Sequence, residues 1–383
     1  MVEWFDLCAN SATLNSEQKE FANQKLWQRL EQVGALYQQH GAAGNLYLGG
    51  SVGLRQPALY VKDGKTVGLK SDLDLFYLLR QLPPSPTEQA FLQAVASLPQ
   101  DIDLSVHVMP AVEVDEQLNS LAFDDLVDSV SRPVLQSFPL RIGEQARRFQ
   151  ARTGAAMAVR MMATAAAPFY VTTHAYANVP DDRIESDAST EVKAALSILR
   201  MPCYEQMGPA FSYRGLVELA EGGFFDGICP RTMVREVVLR REQVGVASEP
   251  LPLALPELFR RSAARLLGLP ETTPVPEMAT CFARAYCEDE TVEDSLDRLL
   301  LVLGLWVWQP DPELLAQARE ELERPRCPQA TRETLTPLLE SNPDPAGVRE
   351  ALPGLLHDTL RSITDRVGAQ LAGILARTAG APS

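Results

Sequence analysis

Between Ser71 and Leu79 the chain reads SDLDLFYLL, with two aspartates two positions apart in an otherwise apolar run. Alternate side chains of an extended strand point the same way. Asp72 and Asp74 therefore share one face with Lys70, while Leu69, Leu73 and Leu75 share the other. A rise of about 3.3 Å per residue sets the two Cβ atoms roughly 6–7 Å apart. Carboxylates facing one way repel each other unless a cation lies between them. This stretch is therefore either a solvated edge strand or part of a site that binds a cation.

The neighbouring segments bear on that choice. Asn45-Leu-Tyr-Leu-Gly-Gly-Ser51 is a short apolar strand entering a tight turn. Gly49 and Gly50 let backbone approach a ligand and expose N–H groups, and Ser51 adds a hydroxyl; a helix starting there turns its positive end toward an anion. A plain turn also satisfies this motif. Ala58 to Leu69 reads as a hairpin about Asp63-Gly64, its second arm running on into SDLDLFYLL. Asp101-Ile-Asp-Leu-Ser-Val-His-Val108 alternates strictly, with Ile102, Leu104, Val106 and Val108 on one face and Asp101, Asp103, Ser105 and His107 on the other. Asp103, further inside this strand, is the better-held third acid, with Asp101 as runner-up; His107 reads as a hydrogen-bonding residue rather than a catalytic one.

Mg²⁺ favours one or two carboxylates plus phosphate oxygens, and two such ions hold the attacking and leaving oxygens of a phosphoryl displacement. The order LGGS at 48–51, SDLDL at 71–75 and DIDL at 101–104 resembles the polymerase β-type nucleotidyltransferase superfamily. In that superfamily a strand ends in Gly-Gly or Gly-Ser, Asp-x-Asp lies on the next strand, and a third acid follows on a later one. The resemblance spans about residues 40–110 and identifies no subfamily. It implies that Gly50 and Ser51 hold a triphosphate, that Asp72 and Asp74 bind two Mg²⁺ ions, and that Asp103 completes the metal-binding and catalytic triad. Lys70 either meets a phosphate of the nucleotide, such as ATP, or pairs with Asp72, the ion pair being preferred. The interval from Ser51 to Asp72 is longer than the superfamily's usual one. The hairpin fills it, which leaves open how a helix after Ser51 is built and whether the hairpin forms a flap over the nucleotide.

The expected fold is α+β: a small mixed β-sheet nucleotidyltransferase core with flanking helices, followed by a large, mostly helical C-terminal region. The expected division is a catalytic domain at 1–130 and a helical acceptor region at 131–383, subdivided near the proline-rich stretch 248–278. An opening helix is signed by Asn15 or Ser16 as cap, by Leu26, Leu30, Val33 and Tyr37 at helical spacing, and by Gly41 as terminator. A second helix starts at the capping box Ser85-Pro-Thr-Glu88.

Acidic residues number 50 and basic residues 35, a formal charge of −15, which disfavours binding to long nucleic acid while leaving small anions open. Arg231, Arg235, Arg240 and Arg241 are a phosphate or acceptor surface, or a helix flank pairing with Glu236 and Glu242. His174 carries no assigned role, and Trp306 and Trp308 read as core. Six scattered cysteines without a CxxC, no signal-peptide pattern and an apolar run of only Leu299 to Trp308 point to reduced thiols, a cytoplasmic location and no membrane span.

The expected chemistry is Mg²⁺-dependent transfer of a nucleoside monophosphate from an NTP to an acceptor hydroxyl, with release of pyrophosphate. A small-molecule acceptor comes first. A cyclic or short oligonucleotide signal comes next, then nucleotidylation of a protein or RNA end, and last a non-catalytic nucleotide-binding module. Oligomeric state is not legible.

Overall fold

The computed structural model describes residues 4–80, 83–99, 101–110, 133–135, 159, 187–207, 212–246, 251–287, 291–340, 343–355 and 358–359. The expected boundary at 130/131 and His174 lie outside them, as do the helical-looking stretches at 115–130 and most of 144–167.

Helix α1 (Ser16–Gln39) opens on a capping box in which the Asn15 side chain and Gln18 exchange hydrogen bonds, and the chain leaves it through Gly41 at φ +62°. Strand β1 (Asn45–Leu48) leads into α2 (Gly50–Gly53), a single turn. β2 (Leu59–Lys62) and β3 (Lys65–Leu69) form the hairpin about Asp63 and Gly64, both at positive φ as a two-residue hairpin turn requires. β4 (Leu73–Leu79) follows, then α3 (Pro86–Ala96) behind the Ser85/Glu88 capping box, β5 (Leu104–Pro110) and β6 (Pro133–Leu135).

Two sheets result. The first runs β5-β4-β1-β6, with β4 and β5 parallel and the other pairs antiparallel. α1 and α3 cover one face of it: Leu26, Trp27, Leu30, Val33, Phe91 and Val95 share a core with Leu46, Leu48, Leu73, Leu75, Tyr77 and Leu79. Asp74 and Phe76 therefore project from the opposite face.

The hairpin belongs to the second sheet, and this corrects the continuous strand expected from the sequence. β3 ends at Leu69, and Lys70 and Ser71 both donate their N–H groups to the Ala58 carbonyl (2.8 and 3.1 Å), so the chain turns between sheets before β4 begins.

The helical part comprises α4 (Asp187–Met207), α5 (Tyr213–Glu221), α6 (Arg231–Glu242), α7 (Leu255–Leu267), α8 (Val275–Tyr286), α9 (Val292–Trp308), α10 (Pro312–Glu323) and α11 (Gln329–Leu339). Between α6 and α7 lies β7 (Gln243–Val244), which pairs in parallel with β2 and completes the order β3-β2-β7. Helices before and after the proline-rich stretch feed one large core, from Ile198 and Leu199 through Phe259 and Phe282 to Leu300 and Leu335. The apolar run 299–308 is the buried end of α9. Trp306 is in the core, while Trp308, the last helical residue, is exposed, contrary to expectation. The six cysteines are free thiols, and no helix among the described residues is long and apolar enough to cross a membrane.

The two parts are joined by polar contacts as well as by β7. The Gln56 side chain accepts the Tyr213 N–H at the start of α5 (2.8 Å), and buried Glu242 at the end of α6 accepts the N–H groups of Ala12 and Thr13.

Candidate functional site

The candidate site is built where β1 ends against the start of β4. Gly49 donates its N–H to the Asp74 carbonyl (2.7 Å), laying the turn across β4. A Cβ on Gly49 would stand 2.2 Å from the Phe76 ring, and one on Gly50 would stand 2.3 Å from Asp74 Oδ2. Gly50 also has φ +55°, in the left-handed region that glycine enters without a Cβ penalty. Both glycines are therefore required, one for packing and the other so that backbone passes within contact distance of the Asp74 carboxylate. Ser51 is fixed through its Oγ, 2.7 Å from Ser71 Oγ, and the same Ser71 oxygen accepts the Ala58 N–H (2.8 Å). One buried hydroxyl thus ties the Gly-Gly-Ser turn to the residue before Asp72.

Asp72 and Asp103 lie at the mouth of the parallel pair. Leu73 N–H bonds to the Asp103 carbonyl (2.8 Å), and regular pairing begins with Leu73 opposite Leu104. Asp103 is thus the residue before β5, not a position inside the strand as the alternation suggests, because its carbonyl closes the end of the ladder. Asp74 is one residue further in, opposite Ser105. Asp101 faces elsewhere: its carboxylate pairs with the buried Arg29 guanidinium on α1. Of the two acids weighed at 101 and 103, only Asp103 acts on the Asp72 carboxyl.

The electrostatics show what converges. Burial pushes the Asp72 carboxyl upward first of all; the negative charges of Asp74 and Asp103 push the same way, and Arg241 opposes them. The charge of Asp72 in turn acts on Lys193, from α4. Burial, with the nearby charges of Arg241 and Lys70, lowers its ammonium to about 8, against the attraction of Asp72. Three carboxylates and three cations are thus gathered from four places in the chain: the 70–74 link, the foot of β5, α4 and the end of α6. Lys70 also lies with Nζ 5.5 Å from the centre of the Tyr60 ring.

His107 is stacked on Phe76 (centroids 5.0 Å apart, planes at 26°), and its Nε2 is 3.7 Å from Asp74 Oδ1. It is 45% exposed and lies beside Asp74 Oδ1, while Gly50 packs against Oδ2.

The sequence pattern groups Gly50, Ser51, Lys70, Asp72, Asp74 and Asp103, and the fold brings them together. It also adds Lys193, which the sequence reading overlooks. Lys193, Ser197 and Arg200 recur at helical spacing as a partly buried polar stripe on a helix whose other positions, Val192, Ala195, Leu196 and Leu199, are buried; that stripe is the signal. The basic cluster divides. Arg231 pairs with Asp226, Arg235 with Glu221 and Arg240 with Glu236, as a helix flank does, while the charge of Arg241 acts on Asp72 and Lys193. Glu242 pairs with none of these arginines and binds the N-terminal segment instead.

Among the described residues no group of three or more His, Cys, Asp or Glu side chains is gathered closely enough to hold a metal ion. The donor set nonetheless suits Mg²⁺: hard carboxylate oxygens in mutual repulsion, next to a cradle that a Cβ at residue 50 would fill. Mg²⁺ takes only one or two protein carboxylates when phosphate oxygens complete its shell.

Comparison with family models, with curated proteins and with solved structures returns no match for this chain. The reading of the site rests on its own geometry.

Proposed function

We propose that this protein is a nucleotidyltransferase that moves a nucleoside monophosphate from an NTP to a hydroxyl of a small-molecule acceptor. The observation that carries this reading is the Gly50 turn packed against the Asp74 carboxylate, in a field of mixed sign where Asp74 and Asp103 act on Asp72 one way and Arg241 the other. Such a field suits a ligand that is itself divided: a cation-bearing polyphosphate with a neutral acceptor beside it.

Asp72 and Asp74, together with phosphate oxygens of the nucleotide, would hold divalent cations, which supply charge neutralisation of the phosphates when bound. The chain's own groups do the rest. The Gly50 and Ser51 turn offers N–H and hydroxyl donors to the phosphates, Lys70 and Lys193 take the charge of the departing end, and Arg241 binds the phosphates before and during the step. The acceptor oxygen attacks the α-phosphorus, the bond to the bridging oxygen breaks, pyrophosphate leaves, and Asp103 takes the hydroxyl proton. Alignment and fixed charge supply most of the rate in such a step.

A net charge of −15 supports a small acceptor over a long nucleic acid. Incubation with Mg²⁺ and each labelled NTP, followed by pyrophosphate assay and mass spectrometry, tests the proposal. Release should occur with at least one NTP and vanish in the Asp72→Asn, Asp74→Asn double variant; unchanged release in that variant removes the mechanism. A cyclic or oligomeric product without added acceptor would make the NTP itself the acceptor.

A further inference from the structure

Resting on that reading of the site, we infer that residues 10–13 are a strap that sets the spacing between its two halves, and that Glu242 is the positioning residue through which the strap holds Arg241 against the phosphates.

At one end the strap grips the chain just beyond the Gly-Gly-Ser turn. Asn10 donates its backbone N–H to the Arg55 carbonyl (2.9 Å) and its side-chain amide to the Leu54 carbonyl (2.8 Å). Arg55 sits at φ +61°, unusual for a side chain with a Cβ, and its Nε bonds the Asp6 carbonyl (2.6 Å), so the segment also fixes a strained residue of the turn.

At the other end the strap grips α6. Glu242 is fully buried, and its carboxylate accepts from Ala12 N–H (2.9 Å), Thr13 N–H (2.6 Å) and Thr13 Oγ1 (2.6 Å). The next residue repeats the grip: Gln243 donates to the Thr13 carbonyl (2.8 Å), accepts from the Gln18 side chain (3.2 Å) and pairs with Leu59 as the first residue of β7. Between these, Asn10 accepts the Arg214 N–H of α5 (3.1 Å).

The direction of each side chain follows from helical geometry. Consecutive residues of a helix point about 100° apart. Arg240 turns back to Glu236 and Glu242 turns into the strap, so Arg241 between them points along neither direction, and its charge acts on Asp72. Burying a carboxylate is costly unless its oxygens are bonded, and three donors from two adjacent residues leave Glu242 one orientation that meets the requirement. Rotation of the last turn of α6 would break all of them. Four residues far from the chemistry in sequence thus register the phosphate-binding turn against the cation that faces it.

The test compares Glu242→Ala, Glu242→Gln, Arg241→Ala and the double variant Arg241→Ala, Glu242→Ala. The readouts are KM and kcat for pyrophosphate release, tripolyphosphate binding by calorimetry, and amide exchange at Ala12 and Thr13. Glu242→Ala should speed exchange at both amides and raise KM about tenfold or more, as loss of one charge-assisted phosphate contact does, with kcat within about threefold. The double variant should be no worse than Arg241→Ala alone, since Glu242 acts through Arg241. Glu242→Gln should restore KM only in part, because an amide oxygen in the Oε2 position still accepts from Thr13 N–H and Oγ1 while its NH2 faces the Ala12 N–H. Additive losses, or faster exchange with an unchanged KM and unchanged tripolyphosphate affinity, overturn the inference. A wild-type protein that neither releases pyrophosphate nor binds tripolyphosphate overturns the reading of the site and leaves Arg241 nothing to be positioned for. The exchange data then still report whether the strap holds.

Discussion

Gly50→Ala is the sharpest perturbation of the site, because two separable costs meet at one atom. The backbone at Gly50 has φ +55°, where an L-residue costs about 1–2 kcal/mol relative to glycine. The new Cβ would also stand 2.3 Å from Asp74 Oδ2, closer than any real contact, while Asp74 Cβ is 3.6 Å away at ordinary separation. The backbone need not move if the carboxylate swings aside, which costs about 0.5–1.5 kcal/mol for a side chain forced off its preferred rotamer. The sum is about 1.5–3.5 kcal/mol, and the variant should remain folded with its Asp74 carboxylate misdirected.

The two parts come apart in the Asp74→Ala background. Only the carboxylate is removed there, so the same Gly50→Ala change should cost only the backbone part. Urea unfolding of the four proteins therefore predicts a coupling of about 0.5–1.5 kcal/mol between residues 50 and 74. The contact of Asp74 with His107 is lost in both arms of that background and cancels. Pyrophosphate release should fall at least about 100-fold in Gly50→Ala alone, the loss expected when a charged group in such a site is misplaced. Equal costs in the two backgrounds would refute the placement of the Asp74 carboxylate against the turn, and with it the cradle on which the phosphate reading depends.

Asp101→Ala and Asp103→Ala should separate structure from chemistry. The first leaves buried Arg29 without its carboxylate and costs about 1–2 kcal/mol of stability with activity nearly kept, while the second costs little stability and abolishes pyrophosphate release; the reverse pattern would exchange their roles. Asp72→Asn should stabilise the fold at neutral pH while eliminating activity. Its carboxyl is raised by burial, Asp74 and Asp103, so the ionised form is a cost present above its folded value, and the gap should close as pH falls toward 3.8; a less stable variant at pH 7 would contradict this. Glu257 behaves oppositely. Hydrogen bonds from Arg260, then Arg261, hold it down to about 2 against burial, so the stability it contributes is complete above about 4.5 and lost as pH falls through about 2. Denaturation of Glu257→Gln beside the wild type should show a gap at pH 6 that disappears near pH 2, and a gap constant over that range would exclude the pairing.

Much of the N-terminal part was legible because its signals are local. A cap at Asn15, a capping box at Ser85/Glu88 and an Asp-Gly hairpin turn are settled by neighbours within four residues, and of the two caps the pattern allows for the first helix, Asn15 or Ser16, the structure uses Asn15. The errors fall where a distant partner decides. Asp103 alternates as though inside a strand, yet the ladder stops one residue later because its carbonyl is used by Leu73. SDLDLFYLL alternates without a break from the hairpin arm, yet Ala58 takes both the Lys70 and Ser71 N–H groups and turns the chain into another sheet. Period-two patterning tells which side chains share a face; it does not tell which sheet they share it in.

The cations are a harder case, and the reason is physical. A carboxylate pair in a strand betrays itself because alternation places like charges side by side, an arrangement unfavourable without a purpose. Arg241 and Lys193 carry no such mark. An arginine in RTMVREVVLRRE is well placed at a helix C-terminus and has acids within reach, and its three companions accept that ordinary role. What distinguishes Arg241 is that Glu242 next to it is spent on Ala12 and Thr13, 230 residues away in sequence, which fixes the rotation of the last turn. Lys193 differs from a surface lysine only because α6 and the 70–72 link close over it, and its lowered ammonium is the result of that enclosure. Both cations become site residues only once the helical half is docked. A site assembled in that way should depend on the docking contacts as strongly as on Asp72 and Asp74 themselves, which is why Glu242 is the variant that separates a complete assembly from two correctly folded halves.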